Sequence, residues 1–554
     1  MKLLIPLFIN CVLHTERLLS LLIHPFHHQM AKLPHFLSSF WTNCSNRQDN
    51  LAATGLTFLT IAIIICWCKC INKKSSKGIK LPSPPGPRGI PLLGNLLLSL
   101  KPELHTYFAK LAHTYGPIYK LQLGNKSCIV ISSPPLAKEV LQDYDTTFAN
   151  HDVPAVGKIV TYGGKGIAWT PLGREWRMLR KVCVQKMLGN ASIDAVSSLR
   201  RTEVRRMVRH VYSKIGSPIN VGEEVFLTAM NIVTSMLWGG TLIGDEGTNL
   251  GAEFREVVGE ITDVLGKPNI SDFYPVLGRF DLQGNQRKAR VLSNQFGNIF
   301  DTIIEQRLKM KEGVRKENKD FLQLLLQLKD EKDAKMRFTM LHLKALLMDM
   351  VTGGTDTTSN SVEWAVAELM NKPETMKKAQ RELDRVVGRD NLVEESHLPD
   401  LHYLHLVMKE VLRLHPALPL LIPHCPTSSC GVGGYMVHKG SRVFINVWAI
   451  HRDPNIWTNP SEFEPERFLD GKLDFSGSNF NYFPFGSGRR ICAGIIMAEM
   501  MFMYELATLL HSFDWSLEKG EKMDLKEKFG LVLKKATPLL AVPTPRLCDP
   551  SLYV

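Results

Sequence analysis

One cysteine, Cys492, stands where a glycine-bearing loop runs into the apolar segment 493–513, and no other stretch constrains the chain as strongly. The segment has the apolar density of a buried helix. A thiol at the start of a helix lies at the positive end of the helix dipole, which favours the thiolate. Gly488 and Gly494 let the backbone approach a flat partner closely, and Arg490 adds a cation beside it. This combination suits an iron porphyrin, with the sulfur on the iron and an arginine on a propionate.

The spacing of five residues around this cysteine carries a family resemblance. Phe485, Gly488, Arg490, Cys492 and Gly494 fill the pattern Phe-x-x-Gly-x-Arg-x-Cys-x-Gly, and the chain therefore resembles the cytochrome P-450 superfamily of haem-thiolate monooxygenases. A buried structural cysteine in a glycine turn is the alternative, which five matches at fixed spacing disfavour. The resemblance implies haem b as the cofactor, held by these five residues, with Cys492 as the axial ligand of the iron.

The resemblance extends over roughly residues 81–545 and sets the expected architecture. It implies a cytochrome P-450 fold, mainly α with small β-sheets (α+β), in which one large catalytic domain follows an N-terminal transmembrane helix. The chain is most similar to the plant microsomal A-type group, near sesquiterpene and flavonoid hydroxylases. The predicted divisions are an N-terminal extension (1–50) whose true start is expected at Met30, a transmembrane anchor (51–70), a basic and proline-rich hinge (71–95), the haem-thiolate catalytic domain (96–545) and a C-terminal tail (546–554).

The anchor is predicted from charge and length. Leu51 to Cys68 contains no charged residue, and with a little of each flank it reaches the approximately 20 residues that span a bilayer. Lysines follow it, which by the positive-inside tendency leaves the bulk of the chain in the cytosol. We therefore predict a single-pass protein of the endoplasmic reticulum membrane with a cytosolic catalytic domain.

A second stretch with chemical content, Gly353-Gly-Thr-Asp-Thr-Thr358, interrupts the apolar helical segment 341–370. Glycines and hydroxyls loosen the hydrogen-bond ladder of a helix and leave room for a ligand or water. A buried acid there is costly unless it is bonded or functional. The resemblance implies catalytic roles, with Asp356 relaying protons from solvent and Thr357 holding the oxygen-derived group and its water. Buried polar residues that cap a kink are the alternative.

Further residues take their expected roles from the resemblance. Glu410 and Arg413, at i and i+3 on a helix, are expected to join Arg467 in a buried structural triad that braces the haem-ligand loop. Trp176 and Arg180 share a helix face, where an indole N–H and a guanidinium together hold carboxylates, although most such pairs are solvated. These two residues and His424 are expected to bind the haem propionates. The residues expected to face an apolar substrate are Ile167, Ala168, Gly353, Leu420, Leu421, Ile422, Leu531 and Val532.

The net charge and the absence of certain motifs limit the kinds of partner expected for the chain. Lys+Arg 67 against Asp+Glu 54 gives a net charge of +13, yet no basic run interleaved with aromatics indicates a nucleic-acid site. A membrane surface or an acidic protein partner fits that charge. No Gly-x-Gly-x-x-Gly motif opens a helix after a strand, so the electrons are expected from outside the chain. The resemblance implies NADPH–cytochrome P-450 reductase, with cytochrome b5 as a second partner, docking on a basic face that contains Arg177, Lys181 and Arg489.

Two local patterns predict structure away from the site. Ile118 to Val130 alternates around Gly124-Asn125, which predicts a small hairpin. The basic run Arg200 to Arg209 is interpreted as a solvated helix face. Val153 to Thr170 contains one proline and four glycines and is predicted to be a loop, which in the family covers the active site.

The predicted activity is monooxygenation of an apolar plant secondary metabolite. One oxygen atom from O2 would enter a C–H bond, with a terpenoid favoured over a flavonoid or other phenolic substrate because the expected site residues are apolar. A hydroperoxide-rearranging haem isomerase and a non-enzymatic haem protein are the alternatives from other classes. The pair Asp356 and Thr357 disfavours the isomerase, which needs no proton delivery.

Overall fold

The computed structural model of the chain describes residues 81–239, 248–310, 320–331 and 337–554. The predicted extension (1–50), the predicted anchor (51–70) and residues 71–80 of the predicted hinge lie outside these residues. Within the described ranges, no helix combines the length and the apolar character needed to cross a membrane.

Helices form most of the described structure. Several begin at side-chain caps: the Asn220 and Asp320 side chains each accept a backbone N–H from the residue three positions on, as helix N-caps do. The helices of eight or more residues are α1 (Leu104–Tyr115), α2 (Arg174–Lys181), α3 (Ser197–Ser213), α4 (Val221–Trp238), α5 (Thr248–Gly266), α6 (Asn285–Lys309), α7 (Phe321–Asp330), α8 (Met340–Gly354), α9 (Asp356–Asn371), α10 (Pro373–Val386), α11 (His402–Leu414) and α12 (Ile495–Ser512).

Shorter helical segments connect these helices. The α-helical ones are Pro134–Lys138, Asp145–Phe148, Ala155–Val160, Asn190–Asp194, Ile270–Phe273 and Val447–Ile450. Those with 3-10 geometry are Leu96–Leu100, Pro275–Phe280, Glu395–Asp400, Pro465–Phe468, Gly488–Arg490 and Pro550–Tyr553, and Glu139–Asp143 and Val182–Met187 are π-helical. The segment predicted as a loop, 153–170, therefore contains one short helix.

The strands are short and form small sheets. They are β1 (Ile118–Leu123), β2 (Lys126–Ile131), β3 (Asn150–His151), β4 (Ile219–Asn220), β5 (His424–Cys425), β6 (Cys430–Val432), β7 (Tyr435–Val437), β8 (Arg442–Ile445), β9 (Phe513–Ser516), β10 (Glu527–Lys528), β11 (Lys534–Lys535) and β12 (Leu540–Pro545). The largest sheet has the order β1-β2-β8-β5-β3, with β1 and β2 antiparallel and β2 parallel to β8. The predicted hairpin is confirmed, because β1 and β2 flank Gly124-Asn125.

The main hydrophobic core surrounds α9 and α12. Almost every residue of α9 from Thr358 to Leu369 is buried, and so is α12 from Met501 to Ser512. Helices that are buried all round lie at the centre of large domains. Both pack against each other, and α9 also packs against α4 and α11. Residues near the start of α9 and residues near the start of α12 border the same cavity.

The basic run on α3 differs in part from the prediction of a solvated face. Arg200 is buried, and its guanidinium makes a two-pronged ion pair with Glu395 at 2.7 and 2.8 Å. It lies on the same stripe as the buried Val204 and Met207, whereas Arg209 is exposed. The prediction of a solvated face is therefore wrong at Arg200, because a carboxylate from a distant segment makes its burial tolerable.

Candidate functional site

The α8–α9 junction, the start of α12 and four loops enclose a cavity of about 370 Å³. That volume lies within the range of small-molecule pockets, and the walls are largely apolar, as such pockets usually are. The loops are segment 160–169, segment 417–424, the loop before α12 and the tip between β10 and β11.

Cys492 faces this cavity. Its backbone N–H donates to the Phe485 carbonyl at 3.0 Å, and its Sγ accepts the Gly494 N–H at 3.3 Å. Gly488 has a φ of +68°, and a Cβ there would lie 2.2 Å from the Leu141 carbonyl oxygen, so this position requires glycine. The tight turn leaves the thiol on the cavity side, just before α12 begins.

Desolvation raises the pKa of the Cys492 thiol above its ordinary value, and the Gly494 N–H and Arg180 counter this in part. By surface area the side chain is nevertheless exposed. The expectation that the helix dipole favours the thiolate stays a prediction. A metal ion deprotonates a coordinating thiol outright, so the environment still suits a metal ligand.

Two arginines border the cavity without carboxylate partners. Arg490 donates to the carbonyls of Ile167 and Thr170 at 2.8 and 2.7 Å, and Arg180 makes a long contact of 3.4 Å with the Cys492 carbonyl. Neither forms an ion pair with a carboxylate of the described residues. Desolvation lowers the pKa of both guanidiniums, that of Arg490 to about 10.

A buried cation without a counter-charge calls for an anion. Trp176 lies beside Arg490, with its indole ring 4.8 Å from the guanidinium carbon, and donates to the Ile167 carbonyl at 3.1 Å. His424 also lines the cavity, with Nδ1 2.8 Å from the Phe148 carbonyl oxygen. The structure thus brings together Trp176, Arg180, His424, Arg490 and the thiol. Their chemistry fits a haem, whose two propionates would supply the missing anions.

The two residues predicted to be catalytic are consecutive at the start of α9, but only one of them lines the cavity. Thr357 lines the cavity, and its hydroxyl donates to the Gly353 carbonyl at 2.8 Å. The side chain of Asp356 is buried away from the cavity and accepts from Lys534 Nζ at 2.8 Å. The predicted interruption of this helix is confirmed at Thr355, which lies between α8 and α9.

Most residues predicted to face the substrate line the cavity, and one does not. Ile167, Ala168, Gly353, Leu421, Ile422, Leu531 and Val532 are all cavity residues. Leu420 belongs to a separate core cluster with Leu104, Phe108 and Phe444, so its predicted role is wrong. Neighbouring side chains of an irregular segment diverge, and the positive φ of +50° at Leu421 turns the chain so that Leu421 points inward instead.

The predicted triad is brought together below the cavity. Arg413 donates to both carboxylate oxygens of Glu410 at 2.7 and 2.8 Å, and Arg467 Nε lies 3.1 Å from the same carboxylate. Arg413 also donates to the carbonyls of His451, Pro460 and Glu462. The three side chains therefore tie α11 to the segment that leads to the cysteine loop.

Sequence reasoning missed two titratable cavity residues. Asp349 of α8 accepts the Ile167 N–H at 2.5 Å, and burial raises the pKa of its carboxyl to about 7. His151 lies 5.0 Å from His424, ring centre to ring centre. No spacing rule marks either residue, because both reach the cavity through contacts between distant segments. The apolar wall from α4, α5 and α7 (Val233, Met236, Leu237, Ile261, Leu265 and Phe321) was missed because it resembles any buried helix face.

The three predicted docking cations differ in their surroundings. Arg177 and Lys181 of α2 are exposed. Arg489 forms an ion pair with Asp145 at 2.8 Å, although its side chain is still 46% exposed. Its charge is therefore partly compensated within the chain.

The fold and the cavity together define a mainly helical protein whose cavity, bordered by a thiol and two arginines, fits an anionic cofactor. Comparisons with known proteins make this class specific. The family model described as Cytochrome P-450 matches residues 84–542. The chain is 39% identical to geraniol 8-hydroxylase of Swertia mussotii over 88% of this chain and 99% of the relative. It is 38% identical to a flavonoid 3'-monooxygenase of Crocosmia x crocosmiiflora over 84% of this chain and 93% of the relative.

Two further matches agree with these. Carnosic acid synthase of Salvia fruticosa is 40% identical over 83% of this chain and 93% of its own length. A solved structure of a zebrafish cytochrome P-450 with progesterone superposes with a TM-score of 0.69 at 25% identity, covering 80% of this chain and 99% of that one. The chain belongs to the cytochrome P-450 family, as a monooxygenase similar to plant members, and the predicted fold of helices with small sheets is confirmed.

Proposed function

We propose that the chain hydroxylates an apolar terpenoid, with haem b held by Cys492 and electrons drawn from NADPH through NADPH–cytochrome P-450 reductase. The observation that carries the choice of substrate is the aliphatic wall of the cavity above Thr357, formed by residues such as Val233, Leu237 and Ile261. Such a wall binds a ligand through its apolar area, with few polar groups to orient it. The 39% identity to geraniol 8-hydroxylase supports the same choice.

A flavonoid or other phenolic substrate is the second candidate, and one residue favours it. The Asp349 carboxylate borders the cavity and retains lone pairs beyond those used by the loop amides. A carboxylate in an apolar pocket is a strong acceptor for a hydroxyl donor. The 38% identity to a flavonoid 3'-monooxygenase points the same way.

Different side chains would hold different parts of the cofactor. Cys492 would bind the iron, Arg180, Arg490, Trp176 and His424 would bind the propionates, and Phe485, Gly488 and Gly494 would shape the loop beneath the ring. The haem, when bound, supplies the oxygen-activating chemistry that no amino-acid side chain provides. Thr357 would place a hydroxyl at the reacting oxygen, and Asp356 would supply protons. Glu410, Arg413 and Arg467 would keep the cysteine loop in place.

The membrane and reductase assignments rest on surface features. Leu92, Val276, Phe280 and Leu282 are each more than 60% exposed, and the Tyr274 hydroxyl, bonded to the Leu92 carbonyl at 2.7 Å, joins the two segments that carry them. An exposed apolar patch of this kind suits contact with a lipid surface. It supports the proposed location on the endoplasmic reticulum membrane, with a cytosolic catalytic domain behind the single-pass anchor. The exposed Arg177 and Lys181 would receive the acidic reductase, or cytochrome b5, on another face.

The test is turnover in yeast microsomes that contain the chain and a plant reductase. We expect a carbon-monoxide difference spectrum typical of a haem-thiolate protein and NADPH-dependent hydroxylation of geraniol or another monoterpene or sesquiterpene in a mixed panel. The Cys492→Ser variant should lose both signals. Hydroxylation of flavonoids alone would select the second candidate.

Two outcomes would refute the activity itself. Product from organic hydroperoxides but none from NADPH and O2 would identify an isomerase. A normal spectrum with no product from any panel member, and no NADPH consumption with reductase, would identify a non-enzymatic haem protein.

A further inference from the structure

Lys534 makes an ion pair with the acid at the start of α9. Its Nζ lies 2.8 Å from Asp356 Oδ1, and the Asn360 side-chain amide donates to the same oxygen at 3.0 Å. The other carboxylate oxygen, Oδ2, is buried and has no hydrogen-bond partner among the described residues. One edge of the carboxylate is thus fixed by two donors, and the other edge is free.

This pair lies between solvent and the cavity. The Lys534 side chain is 31% exposed, whereas that of Asp356 is 5% exposed. Thr357, the next residue in the chain, lines the cavity with its hydroxyl. Lys534 therefore connects a buried acid to water on one side, and the backbone places a cavity hydroxyl directly after that acid on the other.

The hairpin that carries Lys534 is firmly held. Glu527 at its first strand, β10, lies 2.8 Å from His105 Nε2 and 3.0 Å from His415 Nδ1. The neighbouring Lys535 is buried, with Nζ 4.9 Å from the centre of the Trp364 ring. Glu527 and Lys535 are paired across the hairpin, so these contacts hold both of its strands next to Lys534, whose ammonium reaches Asp356.

The same hairpin also borders the cavity. Leu531 and Val532 line it, three and two residues before Lys534. A ligand that contacts these two side chains therefore contacts the hairpin that carries Lys534. One short segment thus connects the cavity wall to the ion pair with Asp356.

We propose that Lys534 is a positioning residue for proton supply: it holds the Asp356 carboxylate next to Thr357 and links that carboxylate to solvent. This inference rests on the proposed monooxygenase function. The Asp356 carboxylate takes one proton from a solvent hydronium ion, which becomes water, and the new O–H bond breaks when that proton passes toward the cavity. One solvent proton is therefore consumed for each proton delivered, and the Lys534 ammonium keeps its three N–H bonds throughout.

The experiment compares Lys534→Met with Lys528→Met in the full-length chain with reductase. Lys528 is paired directly opposite Lys534 in the hairpin and is exposed, so both variants remove one charge from the same element. NADPH consumption, hydrogen peroxide release and the effect of D2O on both are measured without added substrate. We expect Lys534→Met to slow the proton-dependent step about tenfold and to enlarge the D2O effect, because a misplaced acid loses much of its catalytic contribution. Lys528→Met should behave like the parent, and Lys534→Arg should restore most of the rate.

A readout without turnover accompanies this comparison. Urea unfolding of Lys534→Met, Asp356→Asn and the double variant tests whether the two side chains are energetically coupled. Coupling together with an altered D2O effect supports the proposal. Coupling with an unchanged D2O effect overturns it, because the ion pair is then purely structural.

The remaining outcomes distinguish failure of this inference from failure of the proposed function. Identical behaviour of Lys534→Met and Lys528→Met in an otherwise active chain overturns this inference and leaves the proposed function standing. If the parent chain shows no haem-thiolate spectrum, the proposed function fails and this inference fails with it. If Lys534→Met does not fold, Lys534→Arg with Asp356→Asn provides the same comparison of rate and D2O effect.

Discussion

Replacement of Glu410 by glutamine tests how much the buried triad contributes to stability. All five N–H donors of Arg413 are used: two meet the Glu410 carboxylate, and three meet the carbonyls of His451, Pro460 and Glu462. The side chains of Arg413 and Glu410 are 0% exposed. No water is therefore available to replace a lost partner. Glutamine keeps the shape of glutamate but turns an NH2 group toward the guanidinium.

The expected magnitude follows from that geometry. Removing one member of a buried ion pair costs about 3–5 kcal/mol, because the other charge is left uncompensated. Arg467, whose Nε lies 3.1 Å from the same carboxylate, also loses this contact and keeps its ion pair with Glu464 at 3.0 Å. Against a typical total of about 5–15 kcal/mol for a folded domain, this is a large fraction. We expect Glu410→Gln to unfold at much lower urea concentration and to retain little haem.

The assay is urea unfolding followed by tryptophan fluorescence, together with the fraction of purified protein that gives a carbon-monoxide difference spectrum. Glu462→Gln is the matched control, since its side chain is 58% exposed and pairs with Lys372 at the surface. Exposed pairs contribute about 0–1 kcal/mol, so this variant should unfold like the parent. Equal unfolding midpoints for Glu410→Gln and Glu462→Gln would refute the reasoning that the buried triad stabilises the fold.

Two further predictions concern the cavity. Leu420→Ala should lower the free energy of unfolding by about 2–5 kcal/mol and leave ligand selectivity unchanged, because Leu420 lies in a core cluster. Leu421→Ala should change which ligands shift the haem spectrum, because Leu421 lines the cavity. The reverse pattern would contradict the observed side-chain directions. Burial raises the pKa of Asp349 from 3.8 to about 7, so its contribution to stability is full below pH 3.8 and is lost as the pH rises to about 7. Asp349→Asn should remove this dependence of the free energy of unfolding on pH. Urea unfolding midpoints at several pH values measure it, and a pH dependence equal to that of the parent would contradict the prediction.

Patterns within one or two turns of chain were predictable because local geometry determines them. The hairpin at Gly124-Asn125, the helix break at Thr355 and the i, i+3 contact of Glu410 with Arg413 all follow from backbone periodicity. The glycines of the cysteine loop were predictable for the same reason. At Gly488 a side chain would collide with the Leu141 carbonyl, so the residue type itself reports the turn.

Contacts between distant segments were not predictable from spacing. Arg200 pairs with Glu395, and Asp356 pairs with Lys534, in each case across more than 170 residues. Nothing near any of these residues in the sequence indicates its partner. The direction of a side chain in an irregular segment is equally hidden, since Leu420 and Leu421 are chemically identical and only the packing distinguishes them.

The two arginines at the cavity show why a site can be more informative than its motif. A motif match for Arg490 names a residue type, whereas the structure shows a half-buried guanidinium whose hydrogen bonds go to carbonyl oxygens. Desolvation, together with the neighbouring Arg180, lowers the pKa of Arg490 to about 10, and no carboxylate of the described residues forms an ion pair with it. Arg180 shows the same deficit beside the cysteine. A deficit of negative charge next to a cavity-facing thiol is a physical reason, independent of sequence similarity, to expect an anionic cofactor there.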